Sequence, residues 1–392
     1  MSVDYSDDIF NSQHYEKVLR PPEEAETLPP WCYTSPAFYQ REVERLFRSS
    51  WNCVGREERL PHPGDYFAFE LAGVPVVLVR GENGTLRAFA NTCRHRGTQL
   101  LEGEGNCERL ICCPYHGWSY RLDGKLAGAP EMGKAPCFSK DEYGLIPIRL
   151  ETRDGFVFIN FDAESIGLDS YLGDFSGIFA AYGLGDMRCV RRREYEVACN
   201  WKLFIEVFME WYHIKAVHPG SLDSVNYDRP DPPDKVKGEY VTQFGTHEGT
   251  GALLKGRGHT AFPPIATLSG RLLGGTRYAL VYPAFIFAAS TDSMWSFECY
   301  PQGPDRTKYA MNMCFPKSTV ERPDFQELAH AYFDRWDTGI VEDNTILERQ
   351  QAGLTSPFAR PGRLSSLEPV VGLFAQWVIN RVLDGSEGRA DS

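Results

Sequence analysis

Two short motifs each combine one cysteine with one histidine: "CRH", Cys93–His95, and "CPYH", Cys113–His116. Together they supply two thiolates and two imidazoles, a complete set of four metal ligands. Structural zinc sites more often pair like residues within a motif. A mixed-ligand cluster of two irons and two sulfides needs two cysteines on one iron and two histidines on the other. The spacing therefore favours an iron-sulfur cluster over zinc.

A second set of candidate ligands lies in "EWYHIKAVHP", which begins at Glu210 and contains His213 and His218. The apolar spacing of "WKLFIEVFMEWYHIKAVHP" predicts one helix up to Pro219, with Glu206, Glu210 and His213 on one face. Two imidazoles and one carboxylate form the facial triad of non-haem Fe(II) oxygenases. His213 and His218 can reach one metal only if the helix widens into a π turn or ends before His218.

At these motifs the chain resembles the Rieske-type ring-hydroxylating and demethylating oxygenases. The resemblance implies that Cys93 and Cys113 bind the iron at the inner end of a [2Fe-2S] cluster. His95 and His116 then bind the exposed iron through Nδ1. Cys107 is expected outside this ligand set, in a loop, and Cys112 as a buried thiol.

The resemblance extends to the second set, because the family pattern of an acid, two residues, His, four residues and His matches Glu210, His213 and His218. It implies that Asp343, in "IVEDNTILERQQAG", is the third ligand of a mononuclear Fe(II). Glu342 is then expected to be its solvated neighbour, and Gly353 to stop the helix.

Glu210 has two possible roles. In the resembled family, an acid at this position links a mononuclear histidine to a Rieske histidine of a neighbouring subunit. This role requires a closed ring of subunits, most simply a homotrimer. Alternatively, Glu210 only orients His213.

The spacing of Glu206 and Glu210 is most similar to the branch that contains choline, carnitine and glycine-betaine oxygenases. Aromatic residues around the motif could line a pocket for a ring or cage a quaternary ammonium, and we expect at least two of them to be core residues: Phe204, Phe208, Trp211 and Tyr212. The sequence leaves aromatic ring hydroxylation and oxidative N-demethylation open. The competing class is a Rieske-type electron carrier without oxygenase activity.

Composition limits the partners. The 392 residues carry a formal net charge of -12, which argues against nucleic acid or an anionic membrane as the main partner. Eleven cysteines without an export signal indicate a cytoplasmic protein with reduced thiols. No dinucleotide-binding fingerprint is found, so we expect a separate NAD(P)H-dependent reductase to supply electrons, directly or through a ferredoxin.

The elements that must position these residues indicate an α+β protein. Short β-rich runs with Gly, Pro and Asn punctuation predict an all-β Rieske domain over residues 46–162. Residues 163–392 are predicted to form the catalytic domain, an antiparallel sheet with helices in a helix-grip, START-like fold, with residues 1–45 packed against it. Within it, residues 221–275 are predicted to be an irregular cover over a pocket.

Overall fold

The computed structural model describes residues 9–222, 230–254, 256 and 258–383. The chain divides into two compact units, one of residues 48–168 and one of residues 1–47 with 169–392. The predicted fold class is confirmed, because the first unit is built of strands and the second combines an antiparallel sheet with helices. The finer domain bounds given above stay a prediction.

The β unit contains a seven-stranded sheet in the order β1-β10-β9-β4-β3-β2-β5 and a three-stranded sheet in the order β6-β7-β8. The strands are β1 (Asn52–Arg56), β2 (Asp65–Leu71), β3 (Val74–Arg80), β4 (Leu86–Ala90), β5 (Glu104–Asn106), β6 (Leu110–Cys112), β7 (Ser119–Arg121), β8 (Leu126–Gly128), β9 (Pro147–Arg153) and β10 (Phe156–Asn160). A buried apolar cluster that includes Val77, Ile111, Trp118 and Tyr120 joins both sheets. The first Cys-His motif begins three residues after the end of β4, and the second begins directly after β6. Both cysteines, Cys93 and Cys113, belong to this cluster, which therefore supports both motifs.

The second unit contains a six-stranded antiparallel sheet in the order β11-β16-β15-β14-β13-β12. Its strands are β11 (Met187–Val197), β12 (Tyr240–Thr246), β13 (Gly275–Val281), β14 (Phe285–Ala289), β15 (Met294–Pro301) and β16 (Thr307–Pro316). The α-helices of the described chain are α1 (Trp31–Thr34), α2 (Pro36–Glu42), α3 (Leu168–Leu172, which begins at the last residue of the β unit), α4 (Phe175–Phe179), α5 (Trp201–Phe208), α6 (Ile214–Val217), α7 (Lys317–Val320), α8 (Phe325–Leu354) and α9 (Pro369–Leu383). In the described residues, no helix is both long and apolar enough to cross a membrane.

The long helix α8 packs on the sheet through aromatic side chains. The Trp336 ring lies 4.6 Å from that of Trp295 on β15, and the Tyr332 ring lies 5.2 Å from that of Phe315 on β16. Gly353, predicted to stop this helix, lies in its last turn, and the helix ends one residue later at Leu354.

The prediction that residues 221–275 are irregular is wrong for residues 240–246, which form strand β12 paired with β13. Residues 223–229, 255 and 257 of this segment lie outside the described residues. The strand shows little alternation because nearly all of it is buried. Its polar Thr242 donates to Tyr278 O at 2.7 Å, and Gln243 donates through Nε2 to Met209 O at 3.2 Å. A strand buried on both faces has no polar and apolar alternation to detect.

Candidate metal centres

The first Cys-His loop is a tight turn closed by two backbone hydrogen bonds. Cys93 N donates to Thr98 O at 2.8 Å, and Gly97 N donates to Cys93 O at 3.0 Å. Gly97 has a φ of +76°, a conformation that favours glycine. The loop therefore turns back on itself within a few residues.

The second loop repeats this pattern at the same offsets. Cys113 N donates to Trp118 O at 2.7 Å, and Gly117 N donates to Cys113 O at 3.2 Å. Gly117 has a φ of +69°. The two loops thus have the same backbone frame between Cys and Gly, although the histidine stands two residues after Cys93 and three after Cys113.

Burial separates the sulfur ligands from the imidazoles. Cys93 and Cys113 are 3% and 4% exposed, whereas His95 is partly buried and His116 is exposed. The two imidazole rings lie 4.8 Å apart at an interplanar angle of 74°. Cys93 Sγ lies 3.3 Å from the hydroxyl of Tyr120, which can donate to a thiolate. Inner thiols with outer imidazoles fit a two-iron cluster that is ligated by sulfur inside and nitrogen outside.

The two other cysteines near these loops, Cys107 and Cys112, differ in their exposure to solvent. Cys112, predicted to be a buried thiol, is exposed, and that prediction was wrong. It ends the short strand β6, in which only Ile111 points into the core. Cys107 is partly buried, and its Sγ lies 3.3 Å from Gly64 O, with which it forms a hydrogen bond.

The helix predicted across "WKLFIEVFMEWYHIKAVHP" is interrupted at residues 209–213. Glu210 therefore does not share a helical face with His213, and that prediction was wrong. The Glu210 carboxylate accepts hydrogen bonds from the backbone N of Tyr212 and of His213, the latter at 3.2 Å. A side chain that binds amides in this way competes with the helix for its donors. Gln243 satisfies the Met209 carbonyl that the break leaves free.

Beyond the break, α6 ends at Val217, so His218 follows a helix end. Of the two arrangements that would let both histidines reach one metal, the structure has the helix ending before His218. His218 is 1% exposed, and His213 is partly buried.

His213, His218 and Asp343 converge on one point, and their ligand atoms all lie within 4.8 Å of one another. His218 Nε2 lies 3.0 Å from Asp343 Oδ1, and His213 Nε2 lies 3.6 Å from it. Oδ1 is buried and has no hydrogen-bond partner among the described residues. Close ligand atoms that do not hydrogen-bond one another are suited to binding an ion between them.

The other ring nitrogens of the two histidines meet carboxylates. His213 Nδ1 lies 2.5 Å from Glu210 Oε1, and His218 Nδ1 lies 2.7 Å from Glu342 Oε2. Carboxylates at Nδ1 fix the tautomer that places the Nε2 lone pair toward the metal and raise ligand basicity. Burial lowers the pKa of His218, but Asp343 and Glu342 outweigh it and raise the pKa overall. The residues present thus fit a divalent cation held by two Nε2 atoms and one carboxylate.

Glu342 is not the solvated neighbour that the sequence suggested, and that prediction was wrong. Besides His218 Nδ1, its Oε2 accepts a hydrogen bond from Ser221 Oγ at 2.8 Å. The contact joins residues more than a hundred positions apart, so local spacing gives no sign of it. The adjacent pair of acids at 342 and 343 was the available signal, since one can ligate while the other binds a ligand's free nitrogen.

The lining of a cavity beside the three ligands includes five aromatic residues: Phe208, Trp211, Tyr278, Trp295 and Trp336. The Trp211 and Tyr278 rings lie 4.9 Å apart, edge to face, and those of Trp295 and Trp336 lie 4.6 Å apart. The outcome for the four aromatic candidates is mixed. Phe208 and Trp211 line the cavity, Phe204 is a core residue, and Tyr212 is 62% exposed.

A buried polar network lies under the first helix of the site. Lys202 Nζ and Glu42 Oε1, both on fully buried side chains, are 2.6 Å apart. The Tyr33 hydroxyl donates to Glu206 Oε1 at 2.8 Å. Burial raises the pKa of Glu206 to about 8, although the Tyr33 hydroxyl and Lys202 act in the opposite direction. We therefore expect Glu206 to be largely protonated at neutral pH, unlike an exposed glutamate.

A β unit with a Cys₂His₂ set and an α+β unit with a two-histidine, one-carboxylate site define a Rieske-type non-haem iron protein. Residues 50–139 match the Rieske [2Fe-2S] domain, and residues 184–384, about half of the chain, match the ring hydroxylating alpha subunit (catalytic domain). The chain belongs to this family of ring-hydroxylating alpha subunits. Its two domains imply a Rieske cluster and a mononuclear iron.

Two relatives are similar over large parts of the chain. The carnitine monooxygenase oxygenase subunit of Escherichia coli is 40% identical over 232 residues, which are 59% of this chain and 62% of that protein. The match thus spans less than two thirds of that relative. The glycine betaine monooxygenase oxygenase subunit of Chromohalobacter salexigens is 28% identical over 96% of this chain and 90% of its own length.

Among solved structures, a quaternary ammonium Rieske monooxygenase in complex with its substrate L-carnitine has a TM-score of 0.77 to this chain. It is 28% identical, and the match covers 92% of this chain and 96% of that one. The predicted branch, with choline, carnitine and glycine-betaine oxygenases, is therefore confirmed.

Proposed function

We propose that the chain is the terminal oxygenase component of a Rieske non-haem iron monooxygenase that removes a carbon from a methylated quaternary amine by oxidative N-demethylation. In this proposal Cys93, His95, Cys113 and His116 hold the cluster. His213, His218 and Asp343 hold the mononuclear Fe(II).

The observation that carries the proposal is the aromatic cavity directly beside the three converging ligands. Faces of Trp and Tyr attract a quaternary ammonium by cation–π contact, and the surrounding rings exclude water. Trp211, Tyr278 and Trp295 form a continuous wall in which each ring contacts the next, with Tyr278 and Trp295 6.1 Å apart. The relatives named above act on quaternary amines, which supports the same substrate class.

One atom of O₂ enters a C–H bond next to the nitrogen, and the other leaves as water with two electrons and two protons. The resulting hydroxymethyl ammonium then loses its C–N bond, which gives an aldehyde, a tertiary amine and one proton. When bound, the mononuclear iron would supply O₂ activation at its open positions. The chain itself holds the cation against the rings and fixes both imidazoles through Glu210 and Glu342.

We further infer that electrons come from NAD(P)H through a separate reductase, directly or through a ferredoxin. The exposed His116 and partly buried His95 leave the outer end of the cluster open to an electron donor. In a homotrimer, a neighbouring subunit's cluster would deliver electrons to the mononuclear site, with Glu210 between the two. The contact of Glu210 with His213 Nδ1 is consistent with this role. We expect such a protein in the cytoplasm.

The alternatives predict different behaviour. A pure electron carrier has no use for a buried two-histidine, one-carboxylate site beside a cavity, so the converging ligands argue against it. Ring hydroxylation uses the same metals and an apolar cavity, and it would be revealed by hydroxylated aromatic products.

The test is a substrate panel with the purified chain, a Rieske-oxygenase reductase and NADH. The panel contains choline, glycine betaine, L-carnitine, γ-butyrobetaine and aromatic acids. We expect O₂ uptake that is matched by aldehyde and tertiary amine from at least one quaternary amine. Phenols or dihydrodiols from the aromatic acids, with no aldehyde from any amine, would refute the proposal.

A further inference from the structure

Arg335 on α8 is a buried cation that faces the cavity of the mononuclear site. Its side chain lines the cavity, and the residue is 4% exposed. Its Nε and Nη1 atoms are buried and have no hydrogen-bond partner among the described residues. The guanidinium lies over the Trp336 ring, 4.4 Å from its centre. A guanidinium keeps its charge under all ordinary conditions, so an unpaired one in the interior is costly.

Other arginines of the same unit show what pairing looks like in this fold. Arg192 Nη2 lies 3.1 Å from the buried Glu298 carboxylate. Arg191 Nη2 lies 2.6 Å and 2.9 Å from the two carboxylate oxygens of Asp337. Arg335, by contrast, has a ring beneath it and no carboxylate beside it in the described part of the chain.

Trp336 adds a third unused donor in the same cavity. Its Nε1 atom is buried and likewise has no hydrogen-bond partner among the described residues. Buried polar groups nearly always find partners, so several unpaired donors around one cavity indicate that a bound molecule supplies the acceptor. Among the described residues, the cavity lining contains two carboxylates, Glu210 and Asp343. Both already contact the imidazoles of the metal site.

We propose that Arg335, assisted by Trp336 Nε1, binds an anionic group of the substrate, a carboxylate at the end remote from the reacting carbon. The planar fork of a guanidinium matches a carboxylate and can bind both of its oxygens. Combined with the aromatic wall, this makes the preferred substrate a zwitterion that carries a quaternary nitrogen and an acid. That combination rests on the proposed function, whereas the anion site itself does not.

The positions of Arg335 and Asp343 on α8 indicate how a bound substrate would be oriented. Arg335 and Asp343 are eight residues apart on α8, which is about 12 Å along the axis at 1.5 Å per residue. A small substrate can lie along this interval with its reacting carbon near the three ligands and its acid at Arg335. Arg335 is therefore a specificity residue, separated from the reacting atoms.

The experiment measures equilibrium binding to the iron-loaded protein without O₂ or reductase, by isothermal titration calorimetry. Two matched pairs serve as probes: γ-butyrobetaine with its methyl ester, and benzoate with benzamide. Wild-type protein should bind the acid better than its neutral partner in at least one pair. Arg335→Gln should weaken binding of the acid about 10- to 100-fold, as for a lost charge-assisted hydrogen bond, and leave the neutral partner unchanged. Trp336→Phe should weaken binding of the acid about fivefold.

Two further variants and an absorption spectrum serve as controls. Arg335→Lys keeps the charge and should recover part of the acid preference. Arg193→Gln removes an arginine whose side chain is 52% exposed and paired with Asp337, and it should change nothing. The visible absorbance of the cluster verifies that each variant folds.

The outcomes separate the two proposals. Equal loss of acid and neutral probes in Arg335→Gln, or no acid preference in wild-type protein for either pair, would overturn the anion site. An Arg335-dependent preference for benzoate, without binding of γ-butyrobetaine, would keep the anion site and refute the quaternary amine.

Discussion

The two candidate metal sites use histidine in opposite settings. In the β unit, His116 is exposed and His95 partly so, and the loops that carry them are fixed by their own backbone hydrogen bonds. In the second unit, His218 is almost fully buried, and both ligand imidazoles are held by carboxylates from outside the metal site. One site is a local loop structure, and the other depends on packing between distant segments.

The difference matches the chemistry that each site is proposed to perform. An electron-transfer cluster needs its outer ligands near the surface, because electrons must enter and leave there. A site that activates O₂ needs a closed cavity that keeps water away from the reacting atoms. The contrast also predicts that a ligand substitution can abolish one site without affecting the other. Of the effects predicted here, the loss of a whole metal site is the largest.

Asp343→Ala and Cys93→Ala should each abolish one site and spare the other. Asp343→Ala should lose the mononuclear iron and all measurable turnover, while the visible absorbance of the cluster is retained, because Asp343 is one of the three proposed ligands. Cys93→Ala should lose the cluster absorbance and acid-labile sulfide yet keep the mononuclear iron. Iron and sulfide analysis beside absorption spectra measures both. Colourless wild-type protein with stoichiometric zinc would contradict the assignment of both sites.

The two carboxylates at the imidazole Nδ1 atoms form a matched pair. Glu210→Gln and Glu342→Gln both remove a charged acceptor from a ligand histidine. If each only orients its histidine, both should weaken iron binding to a similar extent, about 10- to 100-fold. If Glu210 also lies on the electron path between subunits, Glu210→Gln alone should slow reoxidation of the cluster at full iron occupancy.

Single turnover of the pre-reduced protein with substrate and O₂ measures that reoxidation, with Glu342→Gln as the control for orientation. Mixed oligomers test the path itself. Chains that lack the cluster ligands, combined with chains that lack His213 and His218, should regain partial activity if electrons cross between subunits. No recovery would place the transfer within one chain.

The sequence was sufficient to predict most of the proposed ligands because their types and spacing are local. The two Cys-His motifs and His213 with His218 each lie within a few residues, so a short window contains the pattern. Asp343 depended on resemblance, since nothing in an acidic helix distinguishes a ligand from a solvated side chain. The fold class was likewise predictable from strand runs that precede long helices.

The features that the sequence did not show depend on long-range packing. The Glu342 contact with His218 and the strand β12 at residues 240–246 are both fixed by partners far along the chain. The helix break at Glu210 was missed for a different reason. Its apolar spacing favours a continuous helix, but the Glu210 side chain takes the amide hydrogens that the helix would use. Periodicity reports burial and not this competition.

A smaller effect should follow from the hydroxyl beside Cys93. Tyr120→Phe removes the group that lies 3.3 Å from Cys93 Sγ. Hydrogen bonds to cluster sulfurs raise the reduction potential because they stabilise the extra negative charge of the reduced state. We expect a lower potential with the cluster absorbance and the mononuclear iron retained. Spectroelectrochemical titration measures it, and Tyr143→Phe, a packed ring near Trp118, is a control that should leave the potential unchanged. A potential unaffected by Tyr120→Phe would show that the hydroxyl does not donate to the sulfur.

The smallest expected effect concerns Glu206, a partly buried residue under the second site. Its pKa is about 8 in the folded protein, against 4.5 for an ordinary glutamate. Between these two values the folded state holds a proton that the unfolded state has released, so stability should fall as pH rises from about 4.5 to about 8 and level off above. Glu206→Gln mimics the protonated form and still accepts from Tyr33. The variant should therefore become increasingly more stable than the wild type as pH rises across this window. The two stabilities should differ least near pH 4.5.

Thermal unfolding of both proteins from pH 5 to pH 8.5 measures this difference, and each kcal/mol corresponds to about 2–4 °C in a domain of this size. Because many other groups titrate, only the difference between variant and wild type is informative. Glu321→Gln, on a side chain that is 64% exposed, should follow the wild type at every pH. A constant difference between Glu206→Gln and wild type would mean that Glu206 is ionised in the folded protein. Its charge would then have to be balanced by Lys202, the cation that lowers its pKa, in competition with Glu42.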